Sequence, residues 1–277
     1  MKLSIITPSY NQAPFIERAL QSVLGQGIAD CEHVVFDGGS TDGTVDILRR
    51  YDGRVRWVSR KDRGQADAVN QGIRATRGDV IGWLNSDDLY RPGACGAALE
   101  FLAENPAVDV VYGDAFHVRE DDTVIGPYPT EDWDFGRLES ACFICQPAAF
   151  FRRSVVERFG LLDEKLQYCM DYEYWLRLAA GGARFARLRQ PLAGSRLHPE
   201  TKTLSARHNV VTEINDMLRR TIGRVPVRWL KTYGYVQAER RVGERATHRL
   251  LFDVVAGAAA LRAAVRWNNP FSRTRNA

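Results

Sequence analysis

Apolar and polar positions along the first ninety residues switch repeatedly between a period of two and a helical period. Lys2-Leu-Ser-Ile-Ile-Thr7 reads as a strand that breaks at Pro8-Ser-Tyr-Asn11, after which Phe15, Ala19, Leu20, Val23 and Leu24 recur at helical spacing. His33-Val-Val-Phe-Asp37 is a second strand, ending in Gly38-Gly-Ser-Thr-Asp-Gly-Thr44, and Val45, Leu48 and Tyr51 mark the next helix. Val55-Arg-Trp-Val58 predicts a third strand, followed by a helix that opens near Asp62 and runs through Ile73. A fourth apolar stretch from Gly78 stops abruptly at Asn85-Ser-Asp-Asp88, and a fifth, Val108-Asp-Val-Val-Tyr112, ends near Asp114. Strands alternating with helices imply a doubly wound, mostly parallel α/β sheet flanked by helices, which binds ligands outside the carboxyl ends of its strands. Thr7, Asp37 and Asp87 are expected on that one rim.

The acidic tip at residues 85–88 carries the first chemical signal. Asp87 and Asp88 are hard oxygen donors of the kind that hold Mg²⁺ or Mn²⁺ against a diphosphate. Asn, Ser and Asp also bond their own backbone, so an Asx turn closing a buried strand is the other reading of the same residues.

Five blocks in order, "IITPSYNQAPFIERALQSVLGQ", "VVFDGGSTDGTVDIL", "DRGQADAVNQGI", "RGDVIGWLNSDDLY" and "MDYEYWLRL", resemble the successive signatures of family 2 glycosyltransferases, inverting enzymes of the GT-A fold. The resemblance runs from residue 2 to about 203 and implies a nucleotide-sugar donor, a UDP-sugar first, with Mn²⁺ or Mg²⁺ as cofactor. It implies donor contacts from Thr7, Pro8 and Tyr10 of the first loop, from Asp37, and from Asn85, Ser86 and Asp87. Asp87 falls on the last acid of the Asp-x-Asp motif and is the expected metal ligand. Asn85 departs from that motif's acidic first position, and Asn85→Asp is expected to be tolerated. His198 resembles the late family histidine that completes the metal shell, with Lys202 in the loop that follows. Asp171 matches the family's general base, although Met170 replaces the acid that precedes it, and Glu173 is the second candidate. Asp171 also reads as a helix N-terminal carboxylate. Asp114 and Gln146 are expected on the sugar or acceptor side, while Trp175 shares a core stripe with Tyr172, Leu176 and Ala179.

With 277 residues, 45% hydrophobic and 26% charged, the chain supports one large α/β domain and an appendage. Five cysteines, with one Cys-x-x-Cys pair at Cys142 and Cys145, suit reduced thiols better than a zinc ribbon. Met1-Lys2 runs into the first strand with no room for a signal peptide, so the expected location is the cytoplasm or the inner face of its membrane.

Charge divides the chain. Residues 204–277 hold 14 Lys+Arg against 5 Asp+Glu, or +9, which leaves the first 203 residues at −5 of the total +4. In this basic helical extension Leu250, Val254, Ala258, Leu261 and Val265 form an apolar stripe, with Arg245, Arg249, Arg262 and Arg266 placed on the opposite arc. Its longest charge-free run is far below the ~20 residues that span a bilayer. Contact with an anionic membrane surface and packing against the catalytic domain are both compatible with such a helix. The expected partners are a nucleotide-sugar and a saccharide or lipid-linked acceptor. No nucleic-acid recognition module accompanies the basic tail. The leading expectation is thus an inverting glycosyltransferase serving cell-surface polysaccharide or glycolipid assembly, and the alternative is a nucleotide-sugar or membrane-surface binding module without catalysis. A sugar nucleotidyltransferase is set aside, because Pro8-Ser-Tyr-Asn11 is not a Gly-rich pyrophosphorylase loop.

Overall fold

The computed structural model describes residues 1–243 and 249–268. In chain order it contains β1 (Leu3–Ser9), α1 (Ile16–Leu24), β2 (Cys31–Asp37), α2 (Thr44–Arg49), β3 (Arg56–Ser59), α3 (Gln65–Ala75), β4 (Val80–Trp83), β5 (Leu89–Tyr90) and α4 (Ala94–Glu104). Then follow β6 (Val110–Val118), β7 (Val124–Pro127), α5 (Phe135–Ser140), β8 (Ala149–Arg152), α6 (Arg153–Phe159), α7 (Met170–Ala180) and β9 (Phe185–Arg196), and last α8 (Lys202–Ser205), α9 (Arg207–Thr221), α10 (Val227–Val242) and α11 (Arg249–Asn268). Two units result, Met1–Trp133 with Phe143–His198, and Asp134–Cys142 with the chain from Pro199 onward.

The first unit is built on one sheet in the order β3-β2-β1-β4-β8-β6-β9-β5, with β7 paired to β6. Strands β3, β2, β1 and β4 are mutually parallel, as the alternation of strands and helices predicted, and β1 is buried along its whole length because helices cover both faces. Helix α1 divides its apolar residues between two clusters. Ala19 and Val23 pack with Leu3, Ile5 and the α4 residues Ala94 and Ala98, while Ile16 and Leu20 pack with Val35 and Leu48. Beyond β4 the sheet turns mixed. β8 is antiparallel to β4 and β6, and β6 runs parallel to β9. The result is a mostly parallel α/β sheet in its first half, mixed in its second and flanked by helices.

One sequence expectation changes here. The fifth strand of the pattern does not end near Asp114 but runs to Val118, so Asp114 is a mid-strand residue and not a strand tip. Its neighbour β9 continues to Arg196, which delivers His198 beside the loop after β4.

The second unit is helical. Helix α5 contacts α10, and Glu139 pairs with Arg224 at 2.6 Å, which places this short segment with the C-terminal helices. No described helix is long and apolar enough to cross a membrane.

Candidate active site at the carboxyl rim

The loops after β1 and β2 are stitched to each other by side-chain caps on backbone amides. Asn11 N donates to Ser40 Oγ (2.7 Å), Gln12 N to Thr44 Oγ1 (2.9 Å) and Ala13 N to Asp42 Oδ2 (2.9 Å), while Asn11 Oδ1 accepts from Thr41 N. Each bond satisfies a loop amide that has no ladder partner. Gly43, at φ 99°, makes the left-handed turn that starts α2. Gly38 sits in a tight place for a different reason: a Cβ there would lie 3.0 Å from Asp62 Oδ2, so a larger residue would press on that carboxylate.

Asp37 is buried beneath this cradle. Its Oδ2 accepts from Gly39 N (3.1 Å), Ser40 N (2.9 Å) and Ser59 Oγ (2.6 Å), and Oδ1 accepts from Ser40 Oγ (2.5 Å). Its demonstrated work is to fold the loop, and Oδ1 keeps room for one more donor. Thr7 is fully buried, with Oγ1 3.0 Å from His33 Nε2, so it supports the cradle from below. Burial holds the His33 imidazole down at about 3, hence neutral. Pro8 is buried as well, whereas Tyr10 is 62% exposed and presents an open ring. Asp62 is a member that motif reading left unassigned. Burial pushes its carboxyl up and the charges of Asp67 and Asp37 add to that, against the hydrogen bond from Gly64 N.

Asn85 is the hub of the acidic loop. Its Oδ1 accepts from Trp83 Nε1 (2.9 Å) and from Gln65 Nε2 (2.7 Å), and its Nδ2 donates to Asp88 Oδ2 (3.2 Å) and Gln146 Oε1 (2.9 Å). Gln146 in turn donates from Nε2 to Trp83 O (2.5 Å). All four hydrogen-bonding positions of the Asn85 amide are used, two as donors, and a carboxylate supplies none. This geometry runs against the expected tolerance of Asn85→Asp. Gln146 is buried within the network, and Ser86 is buried beside it.

Asp88 is held inside, accepting from Arg196 N (2.9 Å) as well as from Asn85. Burial raises its carboxyl well above the ordinary range, and the nearby charge of Asp87 raises it further. Arg196, also fully buried, donates from Nε to Asp87 O (2.6 Å) and from Nη1 to the carbonyls of Arg119 (2.9 Å) and Glu120 (3.0 Å) and to Asp122. Its guanidinium lies over the Phe15 ring at 5.0 Å. Five donors in a rigid planar fork reach the Asp87 carbonyl and residues 119–122 from separate nitrogens, a geometry that the single nitrogen of a lysine does not reproduce. The one sequence signal for this residue was its place two positions before His198.

With Asp88 turned inward, Asp87 is the carboxylate left at the rim. His198 Nε2 lies 3.2 Å from Asp87 Oδ2, and the imidazole packs on Phe15 with ring centres 4.8 Å apart. A carboxylate and an imidazole side by side form an oxygen and nitrogen donor set that fits a divalent cation, provided a ligand's phosphates and water complete the shell. No group of three or more His, Cys, Asp or Glu side chains gathers to hold a metal among the described residues.

Helix α7 carries the acids of the last motif. Asp171 is half-buried in its first turn. Glu173 is buried and accepts from Arg177 Nε (2.8 Å) and Nη2 (3.0 Å), and the same guanidinium binds the carbonyls of Phe159 and Leu161. Both oxygens of Glu173 are thus engaged by Arg177, which ties α7 to the segment before it. The segment leading into α7 approaches the donor side: the Gln167 amide packs against Gly64, next to Gln65 of the Asn85 network. Asp114 pairs with Arg187 (2.6 and 3.0 Å), which also binds Asp132 (3.0 Å), so its carboxylate serves the β6–β9 seam. Trp175 is core, in edge contact with Phe151 and Phe185.

The sequence relationships agree with this fold. Residues 4–160 match the model described as glycosyl transferase family 2, and the chain belongs to that family. It is similar to the chondroitin synthase of Escherichia coli (32% identity over 184 residues, 65% of this chain and 27% of that protein) and to the hyaluronan synthase of Pasteurella multocida (29% over 209 residues, 73% and 21%). The chain therefore spans about a quarter of the length of these curated relatives. Among solved structures it shares its fold with S. aureus TarS 1–349 in complex with UDP-GlcNAc, at TM-score 0.68 and 17% identity over 96% of this chain and 80% of that one. It also shares it with the mannosyltransferase PcManGT from Pyrobaculum calidifontis in complex with GDP-Man and Mn²⁺, at TM-score 0.65 and 22% identity over 97% and 88%.

Proposed function

We propose that this chain transfers a sugar, with inversion, from a nucleotide-sugar donor to an acceptor hydroxyl in cell-surface polysaccharide or glycolipid assembly, with a UDP-sugar as the first donor to test. The observation that carries this reading is the Asp87–His198 pair at the carboxyl rim, 3.2 Å apart beside the amide-capped loops that follow β1 and β2. Family membership, the synthase relatives and the fold shared with two proteins solved with nucleotide-sugars support it. Tyr10 supplies an open ring for the donor base, and Asp37 fixes the loop under it, with Oδ1 able to accept a base N–H. Asp87 and His198 are the residues that hold Mn²⁺ or Mg²⁺, which when bound neutralises charge on the diphosphate.

Asp171 is the proposed base. As the acceptor oxygen forms its bond to the anomeric carbon, Asp171 takes the hydroxyl proton. The bond from that carbon to the phosphate oxygen breaks on the opposite face, and the nucleoside diphosphate departs with the electron pair. Gln167 against Gly64 supports this placement, since the chain passes from Gln167 directly into the first turn of α7, which carries Asp171. The test is release of nucleoside diphosphate from a panel of nucleotide-sugars, with Mn²⁺, with Mg²⁺ and with chelator, each with and without oligosaccharide acceptors. Metal-dependent, acceptor-stimulated release that Asp171→Asn abolishes is the expected result. Donor binding without release under any condition would identify a non-catalytic binding module instead.

A further inference from the structure

Helix α11 is apolar on two opposite faces, and among the described residues only one of them packs. Phe252, Ala259, Ala263 and Trp267 are buried in the helical unit, with Phe252 against Tyr235 and Trp267 against Tyr233 in edge contacts of 4.8 and 4.9 Å. Trp267 Nε1 also donates to Asp216 Oδ1 at 2.7 Å, and Gly234 of α10 has no room for a Cβ against the Ala256 carbonyl. The stripe legible in the sequence is the other face: Leu250 is 85% exposed, Val254 68%, Leu261 71% and Val265 68%, and Ala258 is exposed between them. Arg262 and Arg266, both exposed, lie to one side of the stripe, Arg262 at its border and Arg266 further round with its guanidinium 4.4 Å over the Trp267 ring, and Arg249 opens the helix toward the packed face. Arg245 lies outside the described residues.

We infer that this outer face of α11 is a docking surface for an anionic lipid bilayer, lying in the interface with Leu250, Val254, Leu261 and Val265 inserted and Arg262 and Arg266 to one side at headgroup level. An exposed apolar strip running the length of a 20-residue helix is more than scattered surface hydrophobics account for. Charge selects the occupant. Residues 204–277 carry +9, so a second copy seated on this face would bring two strongly basic regions together, whereas an anionic headgroup layer is complementary. This inference stands independently of the sugar-transfer reading.

The test is co-sedimentation of the full chain with vesicles of phosphatidylcholine alone and of about three parts phosphatidylcholine to one part phosphatidylglycerol. Binding to the anionic vesicles, weakened by salt, is the expected result, with about fivefold lost for each of Arg262→Gln and Arg266→Gln. Val254→Glu with Leu261→Glu should abolish binding while leaving helical circular dichroism and the thermal midpoint unchanged, since both side chains are exposed. Equal or no partition to the two vesicle types would overturn the inference. So would a stable dimer, seen by light scattering, that the Val254→Glu, Leu261→Glu variant dissociates, because the face would then belong to a second copy.

Discussion

The carboxamide of Asn85 donates to Asp88 Oδ2 at 3.2 Å, an asymmetric pair in which one partner must be an amide and the other an acid. Asn85→Asp would face two carboxylates across that distance and also remove the donor to Gln146. The expected cost is about 1–3 kcal/mol of stability, measured by urea denaturation. Asn85→Asp combined with Asp88→Asn restores one donor and one acceptor, so it should regain part of the loss. Independent, additive effects of the two changes would refute the pairing.

Arg196 holds the Asp87 carbonyl by Nε and the Asp88 carboxylate by its backbone amide. Arg196→Lys leaves the amide but loses the fork that ties Asp87 to residues 119–122. Calorimetric titration with Mn²⁺ in the presence of nucleoside diphosphate should show weaker metal binding than in the parent chain. A thermal midpoint that falls while metal affinity stays the same would confine Arg196 to stability.

Asp87→Ala and His198→Ala should each weaken the same metal-dependent donor binding, because the two side chains face one another at 3.2 Å. Their effects should be non-additive in the double variant. Unchanged nucleotide binding across a Mn²⁺ titration in both single variants would remove the pair from the metal site.

Asp171→Asn is expected to preserve donor affinity and lower turnover by roughly 10²–10⁴, the range for loss of a general base. Glu173→Gln acts on a different quantity. It breaks the buried pair with Arg177, so it should cost about 1.5–3 kcal/mol of stability while the chemical step is retained. Single-turnover kinetics beside chemical denaturation separates the two.

His33 gives the fold an acid-sensitive point. Its imidazole is held neutral by burial, at about 3 against an ordinary 6.5, so the unfolded chain binds the proton more readily. Its contribution is therefore complete above about pH 6.5 and is lost as pH falls toward 3. Denaturation midpoints at pH 7 and pH 5 should differ more in the parent chain than in His33→Gln, which keeps a partner for Thr7. Equal differences would show that other groups govern the acid sensitivity.

Short-range pattern was enough to identify the parallel half of the sheet and its rim. The strand starts at Leu3, near His33 and Arg56, the cradle "GGSTDGT", and the acids Asp37 and Asp87 at strand tips are set by local periodicity and turn chemistry, which act over a few residues, whereas Asp171 was singled out by the family resemblance. The exposed stripe of α11 was legible in the same way. What pairing partner each polar group finds depends on residues far away in sequence, and only the tertiary structure decided it. Periodicity does not reveal that Asn85 joins Gln65 to Gln146, that Arg196 reaches both Asp87 and Asp122, or that Glu173 is taken by Arg177 and Asp114 by Arg187. The antiparallel strands β5, β7 and β8 were not read from the pattern: β5, at two residues, is too short for a period, and all three form because β4, β6 and β9 provide edges to pair with. A helix that is apolar on two faces gives one hydrophobic pattern for two destinies, and packing against α10 chose the Phe252–Trp267 side. Residue type sets which bonds and burials a side chain is able to make. The folded chain sets which of them are made, since each buried polar group must find its partner within reach.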